Sequence, residues 1–266
     1  MDTPITTVGE IRCVNVEITL PNTGGGRDQT FTTQAYLRTN AIAGSGLVAH
    51  WELDEGTGTV AADSSAYNYN ATIVGPAWIT GDSCVWMDGA TQAALDLDGL
   101  GDYVDIDSEI TGPFDELTLA AWVKFRDDNS LYAAIFSSDS ATDYTLLCFP
   151  EDNGWLEFEV SIGGDRFGVI AEDTDITLGR WYHVAATYDN SEPAVAKLYI
   201  DGRLASQASQ LSHLPAVVGS ATIGAWNENS VLLQRFFDGA IDDFRIYNRA
   251  LTAADVAQLA GTRAGL

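Results

Sequence analysis

Paired carboxylates, histidines, cysteines and loop aromatics are the side chains of this 266-residue chain whose types and spacing could do chemistry. Glu52-Leu53-Asp54-Glu55 and Glu157-Phe158-Glu159 each hold carboxylates two residues apart. Glycosidic hydrolysis needs two such groups flanking one bond, one as acid and one as nucleophile or base. On a strand, alternation puts Glu52 and Asp54 on one face and Glu55 on the other, and Gly56 ends the run. Glu157 and Glu159 lie opposite Leu156, Phe158 and Val160, which makes them the polar side of a half-buried strand. The expectation is therefore no enzyme, with a glycoside hydrolase as the less favoured alternative.

The other nucleophiles and ligands form no pattern. His50, His183 and His213 have no partner at metal-ligand spacing. His50 and His183 sit beside tryptophans in strand-like runs, where a packed or hydrogen-bonded histidine is expected. No G-x-S-x-G elbow, phosphate loop or H-E-x-x-H occurs. Cys13, Cys84 and Cys148 are an odd set that matches no metal motif. Cys84 and Cys148 either pair in an oxidising compartment or stay as buried thiols. Binding chemistry has better material. Sugar C–H groups stack on flat aromatic faces next to polar neighbours. Trp226-Asn227 falls in a loop before the last strand, Trp155 follows a polar loop, and Tyr69 lies with Tyr67 in an Asn-rich stretch. These are the candidate ligand residues.

Charge narrows the partners. Thirty-eight acidic residues against 13 basic ones leave a net charge of −25. Phosphate backbones and anionic lipid surfaces need the opposite sign, so nucleic acid and membrane surfaces are excluded as partners. Acidity on this scale suits a solvated extracellular or salt-adapted surface, and hard cations such as calcium take carboxylate oxygens. No apolar run reaches the ~20 residues of a membrane span. Met1-Asp2-Thr3 lacks the regions of a signal peptide, so an extracellular location implies a segment upstream of this start.

Short strands must position these residues. Leu156, Phe158, Val160 and Ile162 alternate with polar partners, Gly163-Gly164-Asp165 turns the chain, and Phe167, Val169 and Ala171 resume the pattern. Residues 118–125 and 181–189 alternate in the same way. Leu198 and Ile200 precede the hairpin dipeptide Asp201-Gly202. Phe244 and Ile246 mark a last strand. The one helical stretch is 253–260, with Thr252 and Asp255 as a capping box and Gly261 as its stop. Many short strands between Gly, Asp and Asn turns give an all-β sandwich. Residues 1–44 stand apart. Val14, Val16, Ile18 and Leu20, then Phe31, Thr33, Ala35 and Leu37, form a hairpin around a glycine loop, and 41–46 is a linker. A two-stranded hairpin is marginal alone, so it must pack on the sandwich, on an upstream domain or on another chain. The domains expected are 1–44 and 45–266.

From Gly46 to about Ala260 the chain resembles the LamG-like jelly-roll group of the concanavalin A-like fold. Six segments carry the likeness in order: 47–56 around Trp51-Glu52-Leu53-Asp54-Glu55-Gly56, Asp63-Ser64-Ser65 with Ala71-Thr72, Leu97-Asp98-Gly99 with Asp102-Tyr103-Val104, 117–124, Trp181-Tyr182-His183-Val184-Ala185 with 198–202, and 239–252. The resemblance implies two antiparallel sheets face to face and places Trp51, Trp122 and Trp181 in core segments. It implies one calcium near the sandwich edge, held by Asp63 and Asp242 with Asn70 as a third ligand. Ala66-Tyr67 and Asn68-Tyr69 stand where the group has Gly-Asn, which disturbs that loop. Without a metal, Asp63 makes an Asx-turn and Asp242 caps a loop. Residues 11–40 faintly resemble the closing strands of pilin-like subunits. The expected function is a secreted or cell-surface binding or adhesion module that recognises carbohydrate or glycoprotein. The alternative is an assembly subunit whose N-terminal hairpin pairs with another protein chain.

Overall fold

The computed structural model describes the backbone of residues 14–20 and 29–35, and residues 46–80, 93–106, 110, 112–126, 133–139, 143–149, 155–172, 174, 176–211, 214–228 and 232–261. The chain divides into two compact units, Met1–Ser45 and Gly46–Leu266. In the first, β1 (Val14–Leu20) pairs antiparallel with β2 (Gln29–Ala35). Val14, Val16, Ile18 and Leu20 take alternate register positions, opposite Ala35, Thr33, Phe31 and Gln29.

Among the described residues the second unit has 18 strands and one helix. In chain order the strands are β3 (Leu47–Trp51), β4 (Val60–Ala61), β5 (Ala71–Val74), β6 (Ala77–Ile79), β7 (Ala94–Asp98), β8 (Tyr103–Ile106), β9 (Glu116–Phe125), β10 (Ala133–Asp139) and β11 (Tyr144–Phe149). They continue with β12 (Leu156–Ile162), β13 (Asp165–Ala171), β14 (Trp181–Asp189), β15 (Ala194–Ile200), β16 (Arg203–Gln210), β17 (Ala221–Ile223), β18 (Trp226–Glu228), β19 (Leu232–Gln234) and β20 (Asp238–Tyr247), and α1 is Ala253–Gly261. One sheet runs β13-β12-β11-β10-β17-β8-β5-β4, and the other β16-β15-β14-β9-β20-β7-β6 with β3 also on β20. β18 and β19 form a small sheet of their own beside the two large ones. Among the described residues the pairings within both large sheets are antiparallel. The expected all-β two-sheet jelly-roll with one C-terminal helix is the architecture found.

Alternation decides what each sheet buries. On β12, Leu156, Phe158 and Val160 are fully buried while Glu157 and Glu159 are half-buried on the other face. Inward residues of both sheets, including Trp51, Phe125, Phe136, Leu147, Phe158 and Phe244, make one core. Gly163 and Gly164 take left-handed φ of 59° and 88° and turn β12 into β13 at the expected place. The helix opens with the expected box: Thr252 Oγ1 accepts from the Asp255 N–H at 3.2 Å, and Asp255 accepts from the Thr252 N–H at 3.1 Å.

Two of the three tryptophans placed in core segments behave otherwise. Trp51 is in the inter-sheet core. Trp122 is buried, but on the outer face of its sheet, edge-on to His183. Trp181 is half-buried beneath Lys124, its register partner on β9, with the ammonium 5.4 Å from the ring centroid. A fully buried strand with no polar alternation does not announce which face is which. Cys148 is a buried free thiol, and burial pushes its ionisation well up. Cys13, Cys84 and His213 lie outside the described residues.

Candidate functional site

The loop after β4 is organised around one carboxylate. Asp63 Oδ1 accepts from the His50 N–H at 2.8 Å and the Ser65 N–H at 2.9 Å. Its Oδ2 accepts from the Ser65 hydroxyl at 2.6 Å and the Tyr69 N–H at 2.8 Å. The Ser65 bond is the Asx-turn. Asn70 Oδ1 in turn accepts from the Asp63 N–H at 2.9 Å. Four donors fill the ~four acceptor sites of an ionised carboxylate. A calcium ion would have to displace them.

The third expected ligand is elsewhere. Asp63 bridges Trp51, and Trp51 pairs with Phe244, so β3 stands between Asp63 and β20. Two strand spacings separate them by ~10 Å. Asp242 itself is fully buried opposite Trp122. Among the described residues no group of three or more His, Cys, Asp or Glu side chains is arranged to hold a metal ion. Asp63, Asn70 and Asp242, as arranged, do not fit a calcium cage. The physical reason is that this loop spends its strongest acceptors on its own backbone donors.

His50 lies behind the same loop, fully buried. Its Nε2 faces Asp243 at 2.7 Å and its Nδ1 faces the Ser64 hydroxyl at 2.9 Å. A carboxylate only accepts, so Nε2 carries the proton and Nδ1 accepts from Ser64. Burial and the nearby Arg245 hold the ring's ionisation below the ordinary histidine value. Arg245 also donates to Asp243 at 3.1 Å. Ser64, His50 and Asp243 thus follow the hydrogen-bond order of an acyl-transfer triad. Such chemistry also needs N–H donors aimed at a developing oxyanion. Here the N–H groups of residues 62, 63, 64, 65, 67 and 69 are all spent on acceptors within the protein. The chain of bonds ties β3 to β20.

Next to this loop is an open cleft of ≈ 290 Å³ lined by Glu52, Asp54, Glu55, Ala62 and Ser64. The expectation that Glu55 points away from Glu52 and Asp54 is overturned. Strand β3 ends at Trp51, and Leu53 is buried with a left-handed φ of 55°, so alternation no longer applies and all three residues line one cleft. Glu55 also accepts from the Ala62 N–H at 2.8 Å. Tyr69, one of the expected ligand residues, is half-buried, and its carbonyl accepts from the Trp51 indole at 2.8 Å. Tyr67 lies on it, rings parallel within 4° and centroids 5.7 Å apart, and is 56% exposed. The residue anchored by the loop is Tyr69; the one displayed is Tyr67.

Of the other expected ligand residues, Trp226 packs on the outer face of β10 and β11, and no contact joins it to Trp155 among the described residues. Trp155 precedes Glu157 and Glu159 on their face of β12, half-buried, and its indole N–H has no partner among the described residues. Trp226 and Asn227 are half-buried on β18, opposite Gln234 and Leu233. Trp226 is packed on a small apolar cluster of Ala134, Leu146 and Cys148 that lies apart from the main core. The Arg235 guanidinium covers Trp226 at 4.0 Å from the ring centroid. Tyr144 stands beside it, centroids 6.3 Å apart. The Tyr144 hydroxyl donates to Glu159. Burial, then the Glu159 charge, pushes Glu157 up to about 7. Sequence reasoning passed over Tyr144 and treated both glutamates as plain polar surface. Nothing local in the sequence marks the pair, because its environment comes from β11, β13 and the β18–β19 hairpin.

Comparison with known proteins bears on the fold. The family model of the concanavalin A-like lectin/glucanases superfamily matches residues 98–257, more than half of the chain. Domain 4 of AbnA, a GH43 extracellular arabinanase from Geobacillus stearothermophilus solved with arabinotriose, is similar at TM-score 0.62 and 20% identity, over 82% of this chain and 99% of that domain. The binding domain of Paraclostridial Mosquitocidal Protein 1 is similar at TM-score 0.60 and 16% identity, over 81% of this chain. The binding domain of botulinum neurotoxin serotype D follows at TM-score 0.58 and 16% identity, over 81%. The chain spans about half of each toxin binding domain, 52% and 51%. No curated protein matches the chain. At these identities the likenesses speak to the fold.

Proposed function

The chain belongs to the concanavalin A-like lectin/glucanases superfamily, and on that premise we propose that it is a secreted or cell-surface, non-catalytic module that binds carbohydrate at the loop after β4. The observation that carries this reading is Tyr67, 56% exposed and stacked on Tyr69, in the loop that also lines the carboxylate cleft. An exposed ring backed by a second ring is a rigid platform for sugar C–H groups, and Glu52 and Asp54 are acceptors for sugar hydroxyls. The ties from Asp63 hold the loop before any ligand arrives, so little ordering is lost on binding. No calcium ion is required by this arrangement.

The test is calorimetric titration with neutral oligosaccharides of several backbone types, arabinotriose among them. Binding that Tyr67→Ala weakens by about fivefold supports the reading, in line with the ~1 kcal/mol of one aromatic stack. Binding that Tyr67→Ala leaves unchanged removes the site. Release of reducing ends from any of these substrates overturns the non-catalytic assignment.

A second reading concerns residues 14–35. Four apolar residues of β1 share alternate register positions in a unit of only two described strands. A ribbon of that kind gains stability by adding a strand from another chain. The assembly role predicts that removing residues 1–40 lowers the oligomeric state seen in sedimentation; an unchanged state ends it.

A further inference from the structure

We propose that β16 is a self-association edge, at which two copies of the chain pair antiparallel along Arg203–Gln210 and join one sheet of each into a continuous sheet. This goes beyond the carbohydrate reading and does not depend on it.

The four ends of the two large sheets are unequal. β4 and β6 are only two and three residues long, and β13 carries Asp165 and Arg166. Short strands and charged side chains are the ordinary devices that keep an edge from pairing. β16 has neither. It runs for eight residues, its strand partner among the described residues is β15, and past Arg203 it holds no charged residue. Its inward side is also incompletely covered. Ala208 packs on the main core, yet it is half-buried, and so are Ser206 and Gln210 on the same side. The inward residues of the adjoining β15, Ala194, Ala196 and Leu198, are fully buried. Two of the four exposed leucines among the described residues flank this strand, Leu204 at 50% and Leu211 at 78% exposure.

The residues of the edge select a second copy as the occupant. Ser206-Gln207-Ala208-Ser209-Gln210 is self-complementary about Ala208. An antiparallel twin centred there sets Ala208 against Ala208, Gln207 against Ser209 and Ser206 against Gln210. Each hydroxyl then meets an amide, and opposed residues lie on the same face of the joined sheet. Leu211 of one copy falls beside the bulge of the other, where the register with β15 steps from Leu204 to Ser206 and leaves out Ala205. The contact is isologous, so one two-fold axis closes it as a dimer instead of a fibre. Charge permits the approach. Two chains of net charge −25 repel where acids face each other, but β15 and β16 together carry Lys197, Arg203 and no acid. One strand edge buries less than the ~1,200 Å² of a standard interface, so the association belongs in the micromolar range.

Sedimentation equilibrium of the full chain between about 10 and 500 µM tests the proposal. A monomer–dimer equilibrium is expected, with hydrogen exchange of the 204–211 amides slowing as the dimer fills. Gln207→Glu combined with Ser209→Glu sets like charges directly opposite each other twice and should weaken the dimer about tenfold. Gln207→Lys combined with Ser209→Lys should do the same. An equimolar mixture of the two double variants should recover a mixed dimer, which misfolding of either variant could not produce. Ile18→Asp on β1 should leave the dimer intact, which separates this edge from the N-terminal hairpin. A chain that is monomeric at every concentration overturns the proposal, whatever else the edge binds. A dimer that both double variants leave unchanged overturns it too. A dimer lost in Ile18→Asp but kept in the β16 variants assigns the contact to the hairpin and likewise overturns it.

Discussion

Replacing Glu157 by glutamine should make the protein more stable above neutral pH and leave it unchanged in acid. Burial, and then the charge of Glu159, raises the ionisation of Glu157 from 4.5 to about 7. The folded chain therefore keeps a proton that the unfolded chain has already released between those values. Stability must fall as pH rises through that window, and the penalty is complete above pH 7. At full value, ~1.4 kcal/mol for each pH unit gives about 3 kcal/mol. The carboxyl is half-exposed, so water screens more than half of this and about 1 kcal/mol remains. Glutamine keeps the shape and can donate to Glu159 instead of repelling it. Urea unfolding at pH 5, 6, 7 and 8 measures the difference directly. The variant should match the parent at the acid end and gain about 1 kcal/mol at pH 8, or about 2–4 °C in Tm for a domain of this size. A difference that stays flat with pH, or a variant less stable at pH 8, would refute the account of the carboxyl pair.

Asp63→Ala removes the acceptor for four hydrogen bonds and strands buried donors, and it should cost about 3 kcal/mol in chemical unfolding. The same melts should not move with EDTA or added calcium; a chelator-dependent Tm would show that the loop holds a metal after all. Thr252→Ala should lose about 1 kcal/mol, the value of a helix N-cap, read as a lower urea midpoint with unchanged slope. Gly239→Ala should cost at least ~3 kcal/mol, because Gly239 has a φ of 149° and an added methyl would meet the Lys124 carbonyl oxygen; soluble expression at the parent's Tm would contradict it.

Much of the scaffold was legible because its signals are local. The alternation of Leu156, Phe158 and Val160 with Glu157 and Glu159 needs only a pleated strand with one buried face. Asp201-Gly202 turns β15 into β16 because both residues reach left-handed φ, 49° and 75°. Thr252 and Asp255 cap α1 through bonds spanning three residues. The sites were legible only in part. Tyr69 and Trp226 stood out as loop aromatics, but the loop anchors Tyr69 and displays Tyr67, and Arg235 covers Trp226. Glu55 was assigned to the wrong face because Leu53 leaves the strand geometry.

What the sequence alone determined is therefore the class of structure: an all-β sandwich, its turns and its terminal helix. Each follows from residue type and short-range spacing. Tertiary structure decided what the polar residues do. His50 meets Asp243 across 193 positions, Glu157 is raised to about 7 by burial and then by the Glu159 charge, and Asp63 gives its carboxylate to backbone donors from two segments. Ionisation, hydrogen-bond satisfaction and exposure depend on what lies within a few ångströms in space, and in an antiparallel sandwich those neighbours come from distant parts of the chain.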